Sequence, residues 1–216
     1  DQVWAPLRSV RPESEPELAA PVQAAAAEGL EVHAVGSGHS FTDCAASSGV
    51  SIDTTGMRRV LNVDVARAQV TVEAGIRLHE LGPLLAARGL ALENQGDIDR
   101  QSVAGAISTA THGTGIAFGT LSSIVDEVVL VTGTGDVVRV ARGAENGAWL
   151  DGVACHLGAL GVVVEVTLAV CDAFDLHVDE RPAPLDDVLA RLDASLGADH
   201  YRFWYLPHAD RCWEWR

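Results

Sequence analysis

A histidine stands at the tip of a glycine-rich loop near the start of the chain. The stretch "AVGSGHSF" (34–41) places His39 directly after Gly36, Ser37 and Gly38. A tight turn uses glycines because they accept φ values that other residues avoid, but it has no need of a histidine. An imidazole is a nucleophile and a proton carrier near neutral pH, so His39 is a candidate for chemistry.

A second stretch rich in small polar residues lies downstream, at "NQGDIDRQSVAGAISTATHGTG" (94–115). Its glycines, serines and threonines let a backbone approach a ligand closely and offer it N–H and hydroxyl donors. Together the two stretches could hold both ends of a pyrophosphate, or they could be two ordinary turns. A Rossmann motif is disfavoured, because Phe41 stands where its third glycine belongs and no helix pattern follows.

The elements that position these stretches form a mixed pattern. The spacing of apolar residues and turn signals predicts helices at 15–29, 77–89 and 185–197, and strands at 30–35, within 49–75, in a hairpin at 126–142, at 162–170 and at 201–207. Most strands are joined by turns rather than by helices, which indicates an α+β fold. A polar, proline-bearing stretch follows residue 171, so we expect one domain over 1–172 and the beginning of another over 173–216.

Composition excludes several classes of partner and site. The 216 residues include 30 acidic and 15 basic ones, for a net charge of −15, which argues against nucleic acid or an anionic membrane. The four cysteines form no CxxC pair, so we expect neither a metal site nor a disulfide framework. No apolar run is long enough to span a bilayer, and we expect a cytoplasmic protein.

Three motifs in order carry a family resemblance. The stretches "AVGSGHSF", "SVAGAISTATHGTG" (102–115) and "LGALGVVVEVTL" (157–168) resemble the FAD-binding domain of the vanillyl-alcohol oxidase family, also called PCMH-type. Within that family the chain is most similar to the aldonolactone oxidoreductases, the L-gulonolactone and D-arabinono-lactone oxidases. The resemblance implies an FAD-binding domain of two α+β subdomains, followed by the start of a truncated substrate domain.

The resemblance also implies which residues bind FAD. The loop around His39 would surround the pyrophosphate and approach the flavin, the segment from Gly96 to Gly113 would cover the other side, and the segment 158–163 would lie near the adenine. The implied set is Gly36, Ser37, Gly38, His39, Ser40, Phe41, Gly96, Asp97, Ser102, Val103, Gly105, Ala106, Ser108, Thr109, His112, Gly113, Gly161 and Val162.

The role of His39 has two interpretations. In many members of the family a histidine at this position is bonded covalently to the 8α carbon of the flavin; alternatively, His39 only forms hydrogen bonds within its loop. Six histidines outside the motifs, His33 and His156 among them, are expected to be incidental.

The function implied is that of an FAD-dependent oxidoreductase. It would oxidise a hydroxyl group of a sugar-derived aldonolactone by hydride transfer to flavin N5, with O₂ or another electron acceptor. An alditol oxidase acting on an open-chain polyol is one alternative, and a non-catalytic FAD-binding module is another. We assign no catalytic base, because the motifs of the family's substrate domain do not occur, and we expect the catalytic groups beyond Arg216.

Overall fold

The computed structural model describes residues 5–216 and has a mixed α+β architecture. The strands are β1 (Arg8–Val10), β2 (Val32–Val35), β3 (Val50–Asp53), β4 (Val60–Asp64), β5 (Gln69–Glu73), β6 (Leu90–Ala91), β7 (Val125–Val131), β8 (Val137–Ala141), β9 (Val162–Ala169), β10 (Cys171–Asp172), β11 (Glu180–Pro184), β12 (Arg202–Leu206) and β13 (Arg211–Trp215). The helices are α1 (Glu15–Glu28), α2 (Leu78–Ala86), α3 (Val103–Ser108), α4 (Leu150–Ala154), α5 (Leu185–Ala190) and α6 (Leu192–Ser195).

A five-stranded antiparallel sheet, in the order β4-β5-β9-β7-β8, separates two hydrophobic cores. On one face Val162 and Val164 pack with α1 and the three-stranded parallel sheet β1-β3-β2. On the other face Val163 and Val166 pack with α2, α3 and α4. Strand β9 is therefore buried on both faces, which explains why its sequence is a nearly continuous run of valine rather than an alternation of apolar and polar residues.

The predicted helix at 15–29 and the hairpin at 126–142 are confirmed. Helix α1 ends where Gly29 adopts a left-handed conformation with φ +67°, as expected for a glycine that terminates a helix. The hairpin joins β7 and β8 through a turn at 132–136. Both elements carry strong local signals, the apolar spacing of a helix in one and a glycine-rich turn between valine-rich strands in the other.

The C-terminal segment forms a separate antiparallel sheet in the order β11-β13-β12. The helix predicted at 185–197 is in fact two short helices, because Arg191 leaves helical geometry at φ −111°. The guanidinium of Arg191 donates to the buried carboxylate of Glu214 over 2.8 Å. That ion pair joins the helices to the sheet. The polar stretch that begins at residue 171 contributes the short strand β10, which pairs with β6, and then β11.

The connection between β2 and β3 bears directly on the site. These strands are parallel and adjacent, so the chain leaving β2 at Val35 must travel back along the sheet before β3 begins at Val50. The result is a long loop at 36–49 that contains the glycines and His39. None of the helices within residues 5–216 has both the length and the apolar character needed to cross a membrane.

Candidate functional site

A cavity of about 940 Å³ lies between the loop after β2, helix α3 and the loop leading into β9. Residues from 32–46, 101–109 and 156–163 line it, and each of these segments overlaps one of the three sequence motifs. Ligand pockets span roughly 300–1,000 Å³, so this cavity is large enough for an extended molecule such as a dinucleotide.

Two glycines shape the loop that forms one wall. Gly38 has φ +68°, a conformation that a residue with a side chain adopts only with strain. At Gly36 a Cβ atom would lie 2.2 Å from Oγ of Ser102, far inside van der Waals contact. The Ser102 hydroxyl in turn accepts a hydrogen bond from the N–H of Gly105 over 3.3 Å and caps helix α3. Close contact with α3 therefore fixes the start of the loop.

The lining of the cavity, within residues 5–216, is made of apolar and polar side chains without carboxylates. Among the described residues that line it there is no aspartate, glutamate, lysine or arginine; the polar groups are serine, threonine, glutamine, cysteine and histidine side chains and backbone amides. The chain as a whole has a net charge of −15, so this is a region where an anionic ligand meets no carboxylate. Neutral N–H and O–H donors can bind a pyrophosphate in such a place.

Two polar atoms at the site have no partner. The hydroxyl of Ser37 and Nε2 of His156 are both buried, and neither has a hydrogen-bond partner among residues 5–216. Both residues line the cavity. Buried polar groups are nearly always paired in folded proteins, so these two atoms indicate that the site is completed by a ligand with polar groups of its own.

The structure brings eleven of the predicted cofactor residues to the cavity. They are Gly36, Ser37, Gly38, His39, Ser40, Phe41, Ser102, Gly105, Ser108, Thr109 and Gly161. Val103 and Ala106 lie on the opposite side of α3 and Val162 lies in the core below α1. The sequence of 94–115 has the local features of a loop, so it does not separate the side of α3 that faces the cavity from the side that faces the core.

Four other predicted residues lie outside the cavity lining. A Cβ on Gly96 would lie 3.0 Å from Cγ2 of Thr111, and Asp97 forms an ion pair with Arg202 of β12. His112 and Gly113 line a much smaller hollow beside Leu121. Contacts of these four residues with a cofactor remain a prediction.

His33 and His156, two of the histidines expected to be incidental, both line the cavity. Nδ1 of His33 in β2 lies 3.1 Å from the carbonyl oxygen of Cys44 in the loop after β2. His156 immediately precedes the third motif, and that adjacency was the available signal in the sequence.

Comparison with known families identifies the larger part of the chain. A family profile described as "FAD binding domain" matches residues 6–141, well over half of the chain. The chain belongs to this FAD-binding family. A second profile, "D-arabinono-1,4-lactone oxidase", matches residues 166–216, which extend from β9 through the C-terminal sheet.

Relatives of this FAD-binding protein include lactone dehydrogenases and oxidases. L-gulono-1,4-lactone dehydrogenase of Mycobacterium tuberculosis is 49% identical over 98% of this chain and 49% of its own length. L-gulonolactone oxidase of Bos taurus is 39% identical over 83% of this chain and 41% of its own. D-arabinono-1,4-lactone oxidase of Eremothecium gossypii is 35% identical over 99% of this chain and 42% of its own length. The chain thus spans less than half the length of these relatives.

A solved structure supports the fold. A histidine-to-alanine variant of cholesterol oxidase from Brevibacterium sterolicum superimposes with a TM-score of 0.87, covering 96% of this chain and 44% of that one, at 16% sequence identity. At that identity the match shows the shared α+β fold. The expected PCMH-type fold is confirmed.

Proposed function

We propose that the chain is part of an FAD-dependent oxidoreductase that oxidises a hydroxyl group of an aldonolactone. One observation carries the proposal: the three motif segments converge on a single large cavity with an uncharged, donor-rich lining in a strongly acidic protein. The names of the relatives, which are L-gulono-1,4-lactone and D-arabinono-1,4-lactone enzymes, support the substrate class.

The residues that line the cavity fit FAD by their chemistry. Backbone amides and the hydroxyls of Ser37, Ser40, Ser108 and Thr109 would bind the phosphates and the polar edges of the molecule, since all of them line the cavity. When bound, FAD supplies a two-electron acceptor that takes a hydride at N5. The protein contributes orientation and keeps water from the reacting atoms.

We propose in addition that His39 holds the flavin covalently. His39 is exposed in the cavity wall, so an imidazole nitrogen is free to approach a bound ring. In the bond, nitrogen replaces one hydrogen on the 8α carbon; two protons leave, and the two electrons pass through the flavin to an oxidant such as O₂. The link would stop the cofactor from dissociating.

Denaturation in acid tests this covalent link. We expect the flavin to remain with the precipitated protein, and His39→Ala to release it. His33→Ala is the matched control, because His33 lies in the same cavity wall and falls in the same tryptic peptide. Flavin found wholly in the supernatant, or flavin retained by the His39 variant, would contradict the link.

The proposed reaction is tested with the full-length gene product. Under anaerobic conditions L-gulono-1,4-lactone or D-arabinono-1,4-lactone should bleach the flavin absorbance, and readmitted O₂ or an artificial acceptor should restore it. Bleaching by xylitol but by neither lactone would instead identify an alditol oxidase. Bound flavin that no lactone or polyol reduces would identify a non-catalytic FAD-binding module.

We further propose that the protein works in the cytoplasm.

A further inference from the structure

His156 differs from the other cavity histidines in how its ring is held. The residue is buried, with 8% of its surface exposed. Nδ1 accepts hydrogen bonds from the backbone N–H groups of Gly158, over 3.1 Å, and Leu160, over 3.4 Å. A nitrogen that accepts two such bonds carries no proton, so the single proton of the neutral ring resides on Nε2. That atom is buried and has no partner among the described residues.

Burial also keeps the ring uncharged. The pKa of His156 is lowered, chiefly because burial disfavours the charged form. The ring is therefore neutral at physiological pH, with Nε2 as a donor of fixed identity. Such a group can donate to a hydrogen-bond acceptor on a ligand without contributing a charge. Likewise, the residues described in the cavity lining include no aspartate, glutamate, lysine or arginine.

We infer that Nε2–H of His156 is a hydrogen-bond donor to FAD, made available by a small movement of the turn at 157–161. The movement is needed because Nε2 is shielded from solvent. The turn can supply it: Leu157 has the strained φ of +54° for a residue with a side chain, and residues 157–160 are exposed. The inference rests on the proposal that FAD occupies this cavity.

Two substitutions separate the roles of the two ring nitrogens. His156→Asn keeps an acceptor near Nδ1 but has nothing that reaches as far as Nε2. His156→Gln has the opposite property. Its amide nitrogen is as many bonds from Cβ as Nε2 of histidine is, so it can replace that donor, but it has no acceptor at the position of Nδ1. The two variants should therefore have opposite defects: the first in binding FAD, and the second in holding the turn of the ligand-free protein.

The test is FAD affinity in a His39→Ala background, where binding is reversible. We expect His156→Asn to bind FAD about tenfold more weakly, the usual effect of losing one hydrogen bond to a ligand, with an unchanged melting temperature without FAD at pH 8. His156→Gln should recover most of the affinity and melt at a lower temperature. Hydrogen exchange at the amides of 157–161 should slow when FAD binds to the parent and slow less in His156→Asn.

The outcomes distinguish a failure of this inference from a failure of the proposal that FAD occupies the cavity. If the parent binds no FAD, the proposed cofactor site itself is wrong. If the parent binds FAD and His156→Asn binds it equally well, or if His156→Gln is as weak as His156→Asn, Nε2 is not a donor to FAD and the inference is overturned. If His156→Asn does lose affinity and His156→Gln recovers it, titration with ADP locates the contact: equal losses for ADP and FAD place it on the ADP half, and a loss for FAD alone places it on the riboflavin half.

Discussion

Gly36 and Ser102 are in such close contact that a methyl group on Gly36 would come within 2.2 Å of the Ser102 hydroxyl. The first belongs to the loop after β2 and the second caps α3, so this contact joins two of the three segments around the cavity. The alignment of the two walls depends on the absence of a side chain at Gly36.

Gly36→Ala should therefore destabilise the protein and weaken FAD binding. Forcing a methyl group into a packed contact costs about 1–3 kcal/mol, and the displaced loop would carry His39 with it. Urea unfolding and FAD titration measure the two effects. Gly82→Ala is the control: it lies in α2 with nothing within 4 Å of the added Cβ, and there alanine should stabilise the protein by about 0.5–1 kcal/mol. Equal effects of the two substitutions would contradict the role of the contact.

Ser37→Ala tests the second unpartnered polar atom. Its hydroxyl is buried without a partner, so removing it should leave the stability of the ligand-free protein unchanged or slightly higher. FAD binding should weaken by about two- to tenfold, because a neutral hydrogen bond contributes roughly 0.5–1.5 kcal/mol. Calorimetry without FAD and titration with FAD give the two numbers. A variant that binds FAD normally would mean that the ligand does not reach this hydroxyl.

The sequence predicts the elements that neighbouring residues determine, and it does not predict positions that depend on contacts between residues far apart in the chain. Helix α1 and the β7–β8 hairpin follow from local patterns, and the loop around His39 follows from its glycines. Helix α3 was missed, because "VAGAIS" contains glycine and serine, and its cap comes from Ser102 in a stretch that looks like a loop. His156 reaches the cavity because the loop leading into β9 and strand β2 line the same space, and no local pattern encodes that. The partner of Asp97 is Arg202, far along the chain.

Glu214 should control acid stability. Its carboxylate is buried between Arg191, Arg181 and Tyr201, and hydrogen bonding to Arg191 is the main cause that lowers its pKa from 4.5 to about 2. The stabilisation is complete above pH 4.5 and disappears as the pH falls towards 2, where the folded state also takes up the proton. Glu214→Gln should cost about 3 kcal/mol at pH 7 and much less at pH 3. A difference that stays constant between these pH values, measured by urea unfolding, would contradict this.

His156 should produce a separate pH dependence nearer neutrality. Its pKa is lowered in the folded state by burial, whereas in the unfolded chain it is about 6.5. Below that pH the unfolded state binds a proton that the folded state does not, so stability decreases as the pH falls. His156→Asn removes this contribution. The free energy of unfolding of the parent relative to the variant should fall between pH 8 and pH 5; a pH-independent difference would show that His156 is not held neutral by the fold.

The location of FAD is tested most directly by hydrogen–deuterium exchange with and without FAD, in the His39→Ala protein. If FAD occupies the cavity, exchange should slow at 36–42, 101–109 and 156–163, within the segments that line it, and stay unchanged in the sheet of β11, β12 and β13. Protection confined to that C-terminal sheet, or an absence of protection in the three segments when FAD is bound, would contradict the central claim that FAD occupies this cavity.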